Sequence, residues 1–330
     1  MKIALDAMGS ENAPREEVKG AAQASREQGV EVVLVGRRAA IEAEMERQPL
    51  KGARLSIVEA DQVVAFSDHP ARVVRDKQDS SIVVGTHLVQ RGEASALVSA
   101  GHSGAVMAAA LFILGCIDGV ERPALSYLFT TAQNTVLLLD VGANVDCKPI
   151  FLMQFAAMGS VYMERVFNLE RPRVGLLSNG EEATKGNTLV RETLRRLKES
   201  DLNFVGSIEG QDITKGIVDV VVTDGFTGNV VLKAGEGLGE MVLHLLQREL
   251  AHKPYLYIPA FFLRPTLRAI VRSLDYSEQG GVPLLGVNGN VVVAHGRSSE
   301  KAIKNAILMA KRAQERGVLE AMRHGITHTS

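Results

Sequence analysis

Ser178-Asn179-Gly180-Glu181-Glu182-Ala183-Thr184-Lys185-Gly186-Asn187 sets amides, hydroxyls, glycines and one lysine between a strand-like run at 173–177 and a helical run that starts near Thr188. In a wound α/β sheet, ligands bind beyond the carboxyl end of a strand. A helix N-terminus there offers unpaired N–H groups and the positive end of a dipole, which suits phosphate. Lys185 adds a mobile point charge, and Asn179, Gly180, Thr184, Gly186 and Asn187 are the candidates around it. The competing reading is a polar turn with Asn187 as an N-cap. A second stretch of the same character, Thr223-Asp224-Gly225-Phe226-Thr227-Gly228-Asn229, adds Asp224, Gly225, Thr227, Gly228 and Asn229. Similar loops follow three other strand-like runs: Asp6 to Gly9, Gly101-His102-Ser103-Gly104, and Asp140 to Asn144.

Converging strand-end loops form one cleft rich in N–H, amide and hydroxyl donors. It is poor in metal ligands, with no HExxH and no clustered His or Cys, and it lacks a GxSxG elbow. A donor-rich, nucleophile-poor site suits a substrate that brings its own nucleophile, while the protein positions an anion and stabilises developing charge. Phosphate attacking an activated acyl group is such a reaction. His102 is a catalytic candidate, although a lone loop histidine more often serves as a hydrogen-bonding residue. No cofactor and no metal is expected.

The elements that position these loops are legible from periodicity. Short apolar runs at 2–5, 31–35, 55–59, 96–99, 173–177, 203–205, 218–223 and 291–294 alternate with helical patterns, which predicts βα units and a mainly parallel sheet. Runs at 124–130 and 134–139, joined by a polar turn, predict one antiparallel hairpin. Helices are expected over 14–28, after Gly36, and over 81–90, 105–114, 149–167, 188–198 and about 226–251, with a last one from Ser298, capped by Ser298 or Ser299. Met153, Met158 and Met163 read as core packing. Gly235, Gly237 and Gly239 do not match GxGxxG and do not follow a strand, so no dinucleotide fingerprint is present. No fixed-period repeat or long linker interrupts the pattern, so residues 1–330 read as a single α/β domain.

The bulk numbers exclude little. Lysine plus arginine (37) balances aspartate plus glutamate (38), so nothing in the charge points to nucleic acid. Cys116 and Cys147 form no CxxC pair or zinc spacing, and free thiols fit a reducing cytoplasm. No apolar run of about 18 residues appears, and Met1 to Asp6 is too brief for a signal-peptide core. The expectation is a soluble chain, or one that at most rests on a membrane surface.

One segment stands apart. Tyr255 to Leu263 holds four of the fifteen Tyr and Phe residues within eight positions, including Tyr255, Phe261 and Phe262 beside Leu256 and Ile258. Arg264, Arg268 and Arg272 follow at i, i+4, i+8, on one helical face. A basic face with an aromatic-rich apolar face describes an amphipathic hairpin, about 252–276, pressed on anionic lipid. It equally describes a docking surface for an acidic partner or a helical pair at a subunit interface.

The ordered set Asp6-Ala-Met-Gly9, Ser99-Ala-Gly-His-Ser-Gly104, Leu139-Asp-Val-Gly-Ala-Asn144, Leu177-Ser-Asn-Gly-Glu-Glu182, Lys185-Gly-Asn187, Thr223 to Asn229, Pro283-Leu-Leu-Gly286 and Ala294-His-Gly296 resembles the PlsX family of bacterial phosphate acyltransferases over essentially the whole length. The resemblance implies a three-layer α/β/α sandwich similar to isocitrate and isopropylmalate dehydrogenases and phosphotransacetylases, with a protruding helical hairpin. It implies transfer of a fatty acyl group from acyl-[acyl carrier protein] to inorganic phosphate. The acyl phosphate would feed a membrane glycerol-3-phosphate acyltransferase. It implies a homodimer, attached peripherally to the inner face of the cell membrane. Lys and Asn at the positions of Lys185 and Asn229 are implicated in catalysis there. We assign Lys185 to phosphate and Asn229 to the tetrahedral oxyanion. The acidic carrier gives Arg264, Arg268 and Arg272 a second rationale. Two positions depart from the family pattern: Ser10-Glu11 in place of Gly-Asp, and Gln279 where an aromatic is common. The alternatives are a phosphotransacetylase acting on acyl-CoA and a membrane-bound carrier-protein scaffold without turnover.

Overall fold

The computed structural model describes residues 1–65, 67–131, 133–251 and 280–326. Among the described residues, eleven strands form one sheet: β1 (Lys2–Asp6), β2 (Glu31–Gly36), β3 (Leu55–Glu59), β4 (Ala96–Ser99), β5 (Ala124–Thr130), β6 (Thr135–Leu139), β7 (Val174–Leu177), β8 (Phe204–Ile208), β9 (Val220–Val222), β10 (Val282–Leu285) and β11 (Val291–Val293). Their spatial order is β3-β2-β1-β4-β11-β10-β5-β6-β9-β7-β8. Both faces are covered, as a largely parallel sheet requires. Ile3, Leu5, Val32 and Leu34 face α1 (Arg15–Gln28), α2 (Arg38–Glu46) and α10 (Glu300–Glu315), whereas Ala4, Val33 and Leu97 face α4 (Ser81–Gln90) and α5 (Ser103–Ala109). In the other half, Leu137, Leu139, Val220 and Val222 pack on α6 (Pro149–Phe167), α7 (Thr188–Lys198) and α11 (Val318–Ile326). Ile303 and Ile307 of α10 are fully buried, and each contributes about 2 kcal/mol of apolar burial.

Strand direction decides where the loops go. β1, β2, β3, β4 and β11 are mutually parallel. β10 is antiparallel to both β11 and β5, and β5 is antiparallel to β6. After these three reversals β6, β9, β7 and β8 run opposite to β1 and β4. The predicted hairpin of β5 and β6 is thus the place where the sheet turns over. The loops after β1 and β4 leave one edge, and those after β6, β9 and β7 leave the other.

Four elements lie outside the sequence expectations: α3 (Pro70–Asp76), α8 (Gly210–Lys215), β10 and the separate last helix α11. α5 continues through a π-helical turn at Ala110–Leu114. The amphipathic hairpin at about 252–276 falls outside the described residues, with its Tyr255, Leu256, Ile258, Phe261, Phe262, Arg264, Arg268 and Arg272, and so does Gln279.

Candidate active site

The loops after β1 and β4 are clamped together by one buried carboxylate. Asp6 Oδ2 accepts from Ser99 Oγ at 2.6 Å, Asp6 Oδ1 from Met8 N at 3.0 Å, and Gly101 N donates to Ser99 Oγ at 3.1 Å. A Cβ at Gly9 would lie 2.6 Å from Gly101 N and 2.7 Å from Asp6 Oδ2, so only glycine fits that approach. Burial pushes the Asp6 carboxyl up, and hydrogen bonds from Ser81, Ser99 and Met8 pull it back. The clamp fixes His102 and Ser103 at the start of α5. Gly104 is packed against Pro70 of α3, where a Cβ would come within 2.9 Å of the proline ring.

The loops after β6 and β9 are organised by Asp140, which is fully buried. Its Oδ1 accepts from Leu125 N (3.1 Å), Gly142 N (3.2 Å) and Ala143 N (3.0 Å). Its Oδ2 accepts from Asn144 N (2.6 Å) and Asn144 Nδ2 (2.9 Å). Asn144 also donates to Pro123 O at 2.8 Å, and its own carbonyl accepts from Gly225 N at 2.7 Å. Gly225 and Gly228 then let α9 (Gly225–Ala251) start directly against this turn. Asp224 caps the helix through Thr227 N at 2.9 Å and Thr227 Oγ1 at 2.8 Å. Asn229 follows, exposed, in the second turn.

The loop after β7 is also built by its own polar groups. Asn179 Oδ1 accepts from Gly186 N at 2.8 Å, and Asn187 Oδ1 accepts from Val190 N at 2.9 Å as the N-cap of α7. The Lys185 stem lies over Gly180, where a Cβ would sit 2.7 Å from Lys185 Cγ. Lys185 and Thr184 are exposed.

A cavity of about 400 Å³ opens on the face of the turned-over region. Leu125, Tyr127, Val141, Leu232, Val282 and Val293 make an apolar floor. His102 and Ser103 stand on one side, and Asn229, Lys233 and Glu236 of α9 on the other, with His295 and Glu11 at the rim. The structure therefore brings Asn229 together with His102 and Ser103. Lys185 and its loop do not line this cavity. Asp6, Gly9, Asn144, Asp224, Gly225, Thr227 and Gly228 shape its walls from behind. Lys233, absent from the sequence candidates, sits one helical turn beyond Asn229, and that i, i+4 spacing was the available signal. Burial, then the Lys233 charge, pushes His295 down.

Among the described residues, no group of three or more His, Cys, Asp or Glu could hold a metal ion. Burial pushes the Cys147 thiol up to about 12, and burial also raises Cys116, so neither offers a thiolate near neutral pH.

A family profile described as "Fatty acid synthesis protein" matches residues 1–321. A phosphate acyltransferase from Pelotomaculum thermopropionicum is 49% identical over 326 residues, covering 99% of this chain and 95% of the relative. One from Geobacter sulfurreducens is 48% identical over 318 residues, covering 96% and 92%. Among solved structures, a phosphotransacetylase from Streptococcus pyogenes superposes with a TM-score of 0.65 at 18% identity, covering 96% of this chain and 94% of that one. The EutD phosphotransacetylase from Staphylococcus aureus gives 0.62 at 16% identity with the same coverage, a likeness of fold. With relatives near half-identical from end to end, the chain belongs to the phosphate acyltransferase family, a family of acyltransferase enzymes.

Proposed function

We propose that this chain transfers a fatty acyl group from an acyl-[acyl carrier protein] thioester to inorganic phosphate. The observation that carries the reading is one cavity that joins an apolar floor, suited to an alkyl chain, to donors on its two sides, Ser103 on one and Asn229 and Lys233 on the other. A phosphate oxygen attacks the thioester carbonyl carbon and a C–O bond forms. The tetrahedral intermediate then collapses, the C–S bond breaks, and the leaving thiolate takes a proton. Asn229 donates to the oxyanion, worth about 3 kcal/mol. Lys185 holds the incoming phosphate. Its loop lies outside the cavity wall, so this role includes an approach of 178–187 toward Asn229. His102 and Ser103 hold the acyl carbonyl or phosphate from the opposite wall. The reaction uses no cofactor.

The product, an acyl phosphate, would serve a membrane glycerol-3-phosphate acyltransferase. The working form is a homodimer at the inner face of the cell membrane, in the cytoplasm. The exposed Phe226, Val230, Leu238 and Met241 of α9 support a protein partner along that helix. No helix among the described residues is long and apolar enough to cross a membrane.

Thiol release from palmitoyl-carrier protein, titrated with phosphate, tests the reading. Release is expected to saturate with phosphate and to exceed that from palmitoyl-CoA. Release independent of phosphate would make the chain a thioesterase, and a preference for CoA would make it a phosphotransacetylase. Asn229→Ala is expected to lower kcat by about 100-fold. If it leaves kcat unchanged while Lys185→Ala abolishes turnover, the oxyanion role is wrong.

A further inference from the structure

We infer that Lys233 is a second anion-binding residue of this site and that Glu236 competes with the anion for it. Asn229 and Lys233 are four residues apart on α9 and both line the cavity, so the amide and the ammonium project from one helical face. Lys233 Nζ is held by Glu236 Oε2 at 2.8 Å, with the two side chains 53% and 30% exposed. A pair this exposed contributes little to stability, which leaves the ammonium cheap to redirect. His295 lies within reach of the same charge, for Lys233 is among the causes that push it down. Of the described residues lining the cavity, Lys233 is the one lysine or arginine. Glu236 and Glu11 line it too, and Glu11 is matched by Arg297 at 3.5 Å. A phosphate dianion entering here meets two carboxylates. It is accommodated when Lys233 turns from Glu236 to the ligand, four residues from the amide that would face the oxyanion. Glu236 then acts as the placeholder that keeps the ammonium aimed at the cavity in the free enzyme.

The inference rests on the acyl-transfer reading only in taking the ligand to be inorganic phosphate. Its two variants carry opposite signs. Lys233→Ala is expected to raise the KM for phosphate by about tenfold, the loss of one charge-assisted contact, with a smaller effect on kcat. Glu236→Gln removes the competitor and is expected to lower that KM severalfold. Calorimetric titration of wild type and both variants with phosphate gives the same comparison without turnover, and Lys233→Arg keeps the charge as a folding control. Lys233→Ala binding phosphate as wild type does would overturn the inference. So would Glu236→Gln weakening binding as much as Lys233→Ala, because the pair would then only brace the helix. Wild type that binds phosphate through Lys233 yet releases no thiol would sink the acyl-transfer reading and leave this inference standing. Wild type that binds no phosphate would sink both.

Discussion

Asp140→Asn is the perturbation that most directly probes how the site is built. The carboxylate takes five N–H donors in a fully buried position, three at Oδ1 and two at Oδ2. An asparagine has one acceptor oxygen. Its best orientation keeps the Leu125, Gly142 and Ala143 contacts and turns an NH2 group toward both donors of Asn144. Two half-buried donors then lose their acceptor, at up to about 1–3 kcal/mol each, or roughly 4 kcal/mol together. The amide recovers part of this by avoiding the buried charge that pushes the wild-type carboxyl up. The net expectation is a loss of about 3 kcal/mol, large against the 5–15 kcal/mol of an ordinary domain. Urea unfolding of wild type and variant at neutral pH reads it as a lower midpoint with an unchanged slope. Because Asn144 O receives Gly225 N at the start of α9, the same variant is also expected to lower kcat by displacing Asn229. A variant within about 0.5 kcal/mol of wild type and fully active would refute the claim that this carboxylate holds the turn.

Two further outcomes follow from Glu17 and Gly9, beside β1. Glu17 is fully buried, accepts from Ser10 N at 3.0 Å through Oε1, and has no partner at Oε2. Burial pushes it from 4.5 to about 7, so the folded chain keeps a proton that the unfolded chain releases. Stability from this group falls as pH rises through that window, by about 3 kcal/mol. Glu17→Gln is expected to remove that slope when unfolding is compared at pH 5 and pH 8, and an unchanged slope would contradict the burial argument. Gly9→Ala places a methyl against Gly101 N and Asp6 Oδ2, and is expected to cost about 1–3 kcal/mol and reduce activity by shifting the His102 loop. A fully active, fully stable Gly9→Ala protein would show that the loop yields freely.

Much of the fold was legible because local pattern and tertiary role agree. The bounds of α4, α6 and α7, the hairpin of β5 and β6, and the Asn187 cap follow from periodicity and side-chain chemistry. β10 was not legible. It contains Pro283, follows Gly280-Gly281 like a turn, and exists because β5, far away in the chain, pairs with it on one side while β11, just beyond the next turn, pairs with it on the other. The reversal it imposes turns over the strands of the second half of the sheet, while residues that follow β4, β6 and β9 still line one cavity. Asp6, Asn144, Asn179, Asn187, Asp224 and Thr227 look like ligand groups, yet their side chains are engaged in holding their own loops. Short polar residues at strand ends satisfy nearby backbone first. Lys233 escaped notice for the opposite reason, since a lysine in a long helix reads as solvated surface until the fold places it over a cavity.

The central claim is that the acyl group ends on a phosphate oxygen. Turnover of palmitoyl-carrier protein with phosphate carrying ¹⁸O at all four oxygens, followed by mass spectrometry of the product, tests it in one step. The account predicts palmitoyl phosphate that retains all four labelled oxygens, formed in equal amount with the freed carrier thiol. Unlabelled palmitate as the first product, with the labelled phosphate untouched, would contradict it.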